Sequence, residues 1–387
     1  MSLKGRYIPA VAVLTVAILA GCAATIAPTP ASDNPDAPHI ALRFLGEQRL
    51  SHRLEFGATI VGGLSGIDYD AETDTFYVIS DDRSAFSPAR FYTARLEISE
   101  HGFSNLSLLR VVALLRKDGT PYAPRPAPDV PDPEAIRFDP GTRTLWWTSE
   151  GERGISHSRF IDPFIRQAGL DGRYLGEVPL PAMFRMRSDA YGPRDNLVFE
   201  GATLSTDIAS LWVAMEAPLL QDGAMPTTTA GALTRISRFD RDAAGSFGAF
   251  IAQYAYPVDP APHGAIVPIV AALNGVTEML ALTPSRFLVL ERAYAVGFGF
   301  RAKLFESSID GATDIKDTAA LAQTPAIKPM KKRLVLDFAT LGIAIDNLEG
   351  VCFGPTLANG HRTLVFVSDD NFNPGQITQF LAFEVVE

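Results

Sequence analysis

The sequence predicts an all-β fold, a β-propeller of about five four-stranded blades, with six as the alternative. Three observations predict it. A β-hairpin unit returns five times, opening on Ser65, Glu134, Glu200, Glu278 and Glu349 at a nearly even period of 66–78 residues. Two further strand-like runs follow in each of the first four periods, and only one in the fifth. A spare strand, residues 40–50, stands ahead of the first hairpin. Even repetition marks an array of supersecondary units. One such unit cannot bury both sheet faces, whereas radial stacking buries them. Pairing the spare first strand with the last blade closes the ring without an edge.

The first hairpin spans residues 63–82. Residues 65–70 alternate apolar and polar, 71–75 turn, and 76–80 are β-branched and aromatic. Residues 132–150, 199–216 and 277–292 repeat it, and 348–355 with 363–370 make the fifth copy. The further strands are expected at 90–98 and 106–115, 158–164 and 174–180, 233–240 and 250–256, 297–306 and 333–338, and 376–386.

The even repeat argues for one domain over residues 39–387. Residues 1–21 lie outside it. Lys4 and Arg6 precede a short apolar run, 8–19, that ends Leu19-Ala20-Gly21-Cys22. This leader resembles the lipobox of bacterial lipoproteins, which implies that Cys22 is lipidated and becomes the mature N-terminus. An ordinary cleaved signal peptide is the alternative. Ala23 after the cysteine implies the outer membrane, with the domain facing the periplasm. Residues 22–38 read as a flexible, proline-rich tether.

The formal charge is −10, and loss of Lys4 and Arg6 with the leader takes it to −12. That balance disfavours nucleic acid as a partner and suits either cation binding or acidic solubility. The membrane is expected as a partner only through the lipid. The second cysteine, Cys352, lies in an apolar strand and reads as core. The connectors 119–133, 181–196, 257–274 and 310–329 are long, and Arg185, Arg187 and Arg194 make the second one locally basic, an anion-binding lip or a solvated loop.

Chemistry is concentrated at the hairpin ends. Glu134, Glu200, Glu278 and Glu349 open first strands. Asp81 with Asp82, Glu150, Glu216, Glu291, and Asp369 with Asp370 close second strands. The start of one strand and the end of its antiparallel partner share one end of the hairpin. With the first strand innermost, these acids ring one mouth of the channel. Crowded carboxylates must be neutralised by protons, arginines or a cation, and oxygen ligands suit calcium or magnesium. Glu134, Glu200, Glu349, Glu150 and Glu216 are the candidate metal ligands for such a divalent cation. Arg83, Arg137, Arg153 and Arg292 are the candidate counter-charges. The competing reading is architectural, with the acids capping backbone amides. No nucleophile elbow, P-loop or dinucleotide fingerprint is present. None of the six histidines has metal-ligand spacing, and His157 is the candidate acid or base.

The hairpins carry a resemblance. Gly62-Gly-Leu-Ser-Gly-Ile-Asp-Tyr-Asp70, Val78-Ile-Ser-Asp-Asp-Arg83, Arg90-Phe-Tyr92, Asp132-Pro-Glu-Ala-Ile136, Ser149-Glu-Gly151, residues 196–204, Leu290-Glu-Arg292, Asn347-Leu-Glu-Gly350 and Ser368-Asp-Asp-Asn-Phe372 resemble the phytase-like family known for "esterase-like activity of phytase". The resemblance spans about residues 40–387. It implies a propeller similar to calcium-binding phytases, and a small-molecule ester or phosphoester as substrate. Asp81 and Asp369 would then assist catalysis, and Arg83, Arg153 and Arg292 would bind the anion. The chain departs from a phytase in lacking lysines at the hairpins, which puts phytate itself in doubt. Two other readings compete: a lipoprotein that binds a ligand or partner without catalysis, and a lactonase-like calcium propeller.

Overall fold

The computed structural model describes residues 40–154, 159–262, 272–324 and 326–386. The expected leader 1–21, Cys22, the expected tether 22–38 and His157 lie outside these residues. Strand β1, Ala41–Leu50, is followed by a short ribbon of β2, Glu55–Phe56, and β3, Thr59–Ile60. Blade 1 is β4 to β7: Leu64–Asp70, Thr75–Ser80, Arg90–Ser99 and Gly102–Ala113. Blade 2 contains β8, Pro133–Asp139, and β9, Thr144–Ser149, then a ribbon of β10, Glu152–Arg153, and β11, Phe160–Ile161. It is completed by β12, Phe164–Gly169, and β13, Tyr174–Glu177. Blade 3 is β14 to β17: Phe199–Leu204, Ser210–Met215, Ala232–Arg241 and Phe247–Val258. Blade 4 is β18 to β21: Ala272–Ala281, Arg286–Ala295, Gly299–Ser308 and Lys331–Asp337. Blade 5 is β22, Asn347–Phe353, β23, Thr363–Asp369, and β24, Thr378–Val386, with β1 as its outermost strand.

Five four-stranded antiparallel blades form, and the chain ends close the ring. β1 pairs with β24 from Ala41↔Val386 to Leu50↔Thr378. The third strand of blade 2 differs from its expected position at 158–164. Proline cannot donate to a ladder, so pairing begins only after Pro163, with Phe164↔Ser149.

The core is divided among the blade interfaces. Ile79 and Phe91 of blade 1 pack with Ile136 and Trp147 of blade 2. Trp146 and Ile165 meet Phe199 and Val213 between blades 2 and 3. Trp212 and Ile236 meet Val276 and Phe287 between blades 3 and 4, and Leu288 and Leu304 meet Leu348 and Phe366 between blades 4 and 5. Val78 and Tyr92 meet Cys352 and Phe380 across the closure. Five apolar seams joining five blades are what a closed ring requires. Cys352 is a free, buried thiol in the last of them.

The inner strands are β4, β8, β14, β18 and β22, each in contact with the next around the channel. The residue after the bulged position is glycine in three of them. A Cβ on Gly66 would stand 2.5 Å from the Glu134 carbonyl oxygen, one on Gly201 2.9 Å from the Glu278 Cα, and one on Gly350 2.8 Å from the Ser65 carbonyl oxygen. Bare backbone is therefore what lets these strands approach.

Candidate active site at the acidic mouth

A β-bulge interrupts every inner strand near its start: between Leu64 and Gly66, Pro133 and Ile136, Phe199 and Gly201, Val276 and Glu278, and Leu348 and Gly350. A bulge leaves an extra residue unpaired and re-aims its side chain. The bulged positions are Ser65, Glu134, Glu200, Thr277 and Glu349. One further pairing beyond each bulge holds the end of the second strand. Asp81 N donates to the Gly63 carbonyl (2.7 Å), Glu150 N to that of Asp132 (3.1 Å) and Glu216 N to that of Val198 (2.7 Å). Arg292 pairs with Gly275, and Asp369 with Asn347. The second ring position is thus Asp81, Glu150, Glu216, Arg292 and Asp369.

This register corrects the expectation for the fourth blade by one residue in both strands. Thr277, not Glu278, holds the bulged position, and Arg292, not Glu291, faces the mouth. Glu278 sits deeper, where its Oε1 accepts from Ala202 N (2.8 Å) and its Oε2 pairs with Arg137 (2.5 Å). Glu291 points away into blade 4, bonded to Tyr256 Oη (2.8 Å), Asn274 Nδ2 (2.8 Å) and Lys332 Nζ (2.5 Å).

The structure brings Asp81, Glu134, Glu150, Glu200, Glu216, Glu349 and Asp369 together, Asp81 half-buried and the other six buried. Three overlapping triads have ligand oxygens within 4.8 Å of one another: Asp132, Glu134 and Glu150; Glu134, Glu200 and Glu349; Glu150, Glu200 and Glu216. Above them opens a cavity of about 780 Å³. Arg292 sits among the acids, 3.0 Å from Glu349 and 3.4 Å from Glu216. Arg83 lies on the rim, bonded to Asp132 and to Asn196.

Two arginines do not balance this ring. Burial pushes the carboxyls of Asp81, Glu134, Glu150, Glu200 and Asp369 well above their usual range, and like charges add to it: Asp132 at Asp81, Glu200 at Glu134, Glu150 at Glu200. Burial also raises Glu216, to about 7, and Glu349, with Arg292 opposing both shifts. Asp132 is raised by burial against the pull of Arg83.

Other expected residues are placed elsewhere. Arg153 is committed to loop carbonyls, at 2.7 Å from Pro193 and Asp189 and 3.1 Å from Tyr191, so it clamps the 181–196 connector and does not line the mouth. Arg194 is spent on the carbonyls of Pro218 (3.0 Å) and Gly223 (2.7 Å), and Arg187 pairs with Asp189 (2.5 Å). Asp82 and Asp370 are architectural. Asp82 accepts from the amides of Ala85 and Ser87 and pairs with Arg90 at 2.8 Å; Asp370 accepts from Gly63 N at 2.9 Å.

Sequence reasoning missed Asp132 and Asn347. Both stand two residues before a bulged glutamate, as in Asp132-Pro-Glu134 and Asn347-Leu-Glu349. Polar residues two apart share a strand face, and that signal was present. Asn347 Nδ2 donates to Glu349 (2.8 Å) and Asp369 (3.1 Å). Its Oδ1 and Glu150 Oε2 are buried with no hydrogen-bond partner among the described residues. Buried oxygens left over beside carboxylates fit a hard cation.

Residues 59–372 match the family described as Phytase-like, esterase-like activity of phytase. The chain belongs to this family. The match takes in all eight clustered acids, Asp132 included, and both mouth arginines. No curated protein matches the phytase-like chain. Among solved structures it is similar to a periplasmic gluconolactonase of Pseudomonas aeruginosa, at 12% identity over 84% of this chain and 86% of that one, TM-score 0.34. A putative oxidoreductase (glucose dehydrogenase) of Thermus thermophilus is similar at 13% identity over 90% and 96%, TM-score 0.32. A further glucose dehydrogenase is similar at 11% identity over 88% and 99%, TM-score 0.37.

Proposed function

We propose that this phytase-like propeller is an envelope-anchored hydrolase of ester or phosphoester bonds, assisted by calcium at the acidic mouth. The observation that carries the reading is the set of three interlocking carboxylate triads with unpartnered oxygens on Glu150 and Asn347. Glu134, Glu200 and Glu349 would hold the ion, with Glu150 and Glu216 beside them. A bound divalent cation polarises the scissile bond and lowers the pKa of a water.

The chain's own residues supply the rest. Burial raises the carboxyls of Asp81 and Asp369 well above their usual range, the direction that strengthens a carboxylate as a general base. One of them takes the proton as water adds to the ester carbon or phosphorus. The bond to the leaving oxygen breaks, and that oxygen is protonated to the alcohol. Arg83, the more exposed of the two mouth arginines, would offset the acid product's negative charge. Lipidation at Cys22 would tether the domain to the outer membrane, facing the periplasm.

The test is a panel of an aryl acetate, an aryl phosphate and an aldonolactone, each assayed with calcium and with EDTA. Calcium-dependent turnover of one of them is expected, with loss of at least a hundredfold in Glu200→Gln. Stable calcium binding with no turnover of any would leave a binding protein in place of an enzyme.

A further inference from the structure

Blade 4 stands taller than its neighbours at the mouth. β18 begins at Ala272, four residues ahead of its bulge, whereas β4, β8 and β14 begin at theirs. β19 runs on to Ala295, past Arg292, whereas β5, β9 and β15 stop short of Asp81, Glu150 and Glu216. At about 3.3 Å per residue, three extra residues raise the sheet about 10 Å above the acids.

Pairing fixes what this wall presents. Tyr294 lies opposite Leu273 on one side and Phe300 on the other. Side chains two apart on a strand share a face, and directly paired residues lie side by side. Tyr294 therefore stands above Arg292, with Leu273 and Phe300 flanking it, and all three border the cavity. The rings of Tyr294 and Phe300 are 4.9 Å apart and tilted by 48°, forming a corner. The rim on the flanking blades carries amides, Asn196 ahead of blade 3 and Asn371, Asn373 and Gln376 from blade 5. The cavity is thus an acidic floor with one aromatic wall and a polar rim. Among the described residues no lysine lines it, and its two arginines are already paired with acids.

We infer that the substrate is a monoester with a flat aromatic arm. The arm lies in the Tyr294–Phe300 corner while the ester group reaches the floor; a polyanion such as an inositol polyphosphate is excluded. The inference rests on the hydrolase reading for the word ester, but the aryl site stands on the wall alone. Aromatic contacts of this kind are worth up to about tenfold each in affinity.

The experiment compares 2-naphthyl acetate, methyl acetate and inositol hexakisphosphate as substrates of the intact domain with calcium. It also measures binding of 2-naphthol by its fluorescence. Phe300→Ala and Tyr294→Ala should each raise KM for the naphthyl ester about tenfold with kcat kept, whereas Tyr294→Phe should behave as wild type. Methyl acetate turnover should not change. Naphthol binding should weaken in the Tyr294→Ala/Phe300→Ala double variant. If no ester is cleaved, the hydrolase reading falls, yet naphthol binding lost in the double variant still supports the aryl site. Naphthol binding that is absent, or equal in both proteins, overturns the inference. So does faster turnover of the hexakisphosphate than of the naphthyl ester.

Discussion

Arg137 Nη2 lies 2.5 Å from Oε2 of Glu278 on the axis of the ring. The same guanidinium donates to carbonyls of the inner strands of all four other blades: Ile67 (2.6 Å), Ala202 (2.5 Å), Met279 (3.3 Å) and Val351 (3.2 Å). One side chain from blade 2 therefore plugs the channel below the mouth and ties five blades to one point. Removing one partner of a buried pair costs about 3–5 kcal/mol. Arg137→Met should lose at least that much, because it strands Glu278 and four carbonyls together. Glu278→Gln should lose less, because its oxygen keeps the amides of Ala202 and Met279. Urea denaturation of the two variants checks the order. Equal small losses would mean that the plug is not a tie.

The repeat made the fold legible. Hairpin residues alternate with period two, and the seams need one apolar face on each side, so β-branched and aromatic runs such as 76–80 and 363–368 declare themselves. The mouth was legible where the acid itself marks the position, as at Glu134, Glu200 and Glu349. It failed in blade 4, where adjacent charged residues compete. Thr277-Glu278 and Glu291-Arg292 each offer a charge one residue from the ring position, and only the bulge decides which faces inward. Arg153 misled for a similar reason. A guanidinium near the mouth in sequence is drawn to unpaired loop carbonyls, and no pattern announces those. The aromatic wall was invisible because it depends on how far a hairpin extends past a bulge.

The closure by β1 makes a second prediction. Its ladder to β24 runs from Ala41 to Leu50, and Gln48 Nε2 also bonds the Phe103 carbonyl of blade 1 at 2.9 Å. Deleting residues 39–50 leaves β24 as a bare edge beside apolar surface, an invitation to pairing between molecules. The truncated domain should lose cooperative unfolding or aggregate, as read by calorimetry and light scattering. A truncated monomer melting at the wild-type temperature would count against the closure as a source of stability.

A third prediction concerns the ion. A cation that binds only the folded state stabilises it by about 2.7 kcal/mol at a hundredfold excess over its dissociation constant. Calcium should raise the melting temperature and EDTA lower it. Glu200→Gln and Glu349→Gln should blunt the response, each removing a member of the central triad. If the acids only supported the architecture, calcium would do nothing and both variants would melt lower in any buffer. A wild-type melt indifferent to calcium and magnesium removes the metal and the metal-assisted mechanism with it.

The last prediction follows from the protons that compete with that ion. Burial raises Glu216 to about 7 in the folded protein against a usual 4.5, and it raises Asp81, Glu134, Glu150, Glu200 and Asp369 well above their ordinary range. An acid raised by folding binds more protons in the native state than in the unfolded one. Stability then falls as pH rises above the unfolded value. For Glu216 the loss begins near pH 4.5 and is complete just above 7, and the other raised acids act in the same direction. The protein in EDTA should therefore melt highest near pH 5 and progressively lower toward pH 8. Calcium acts in the opposite sense, since its ligands must lose their protons before they bind it. Its stabilising effect should be small at pH 5 and grow toward pH 8, flattening the profile, and binding at pH 7 should release protons into the buffer. Glu216→Gln should make the EDTA profile shallower between pH 4.5 and 7, because the amide has no proton to lose there. Melts at four pH values from 5 to 8, with EDTA and with calcium, test both signs. A metal-free protein that grows more stable from pH 5 to pH 8 would show that the mouth acids are already ionised and paired.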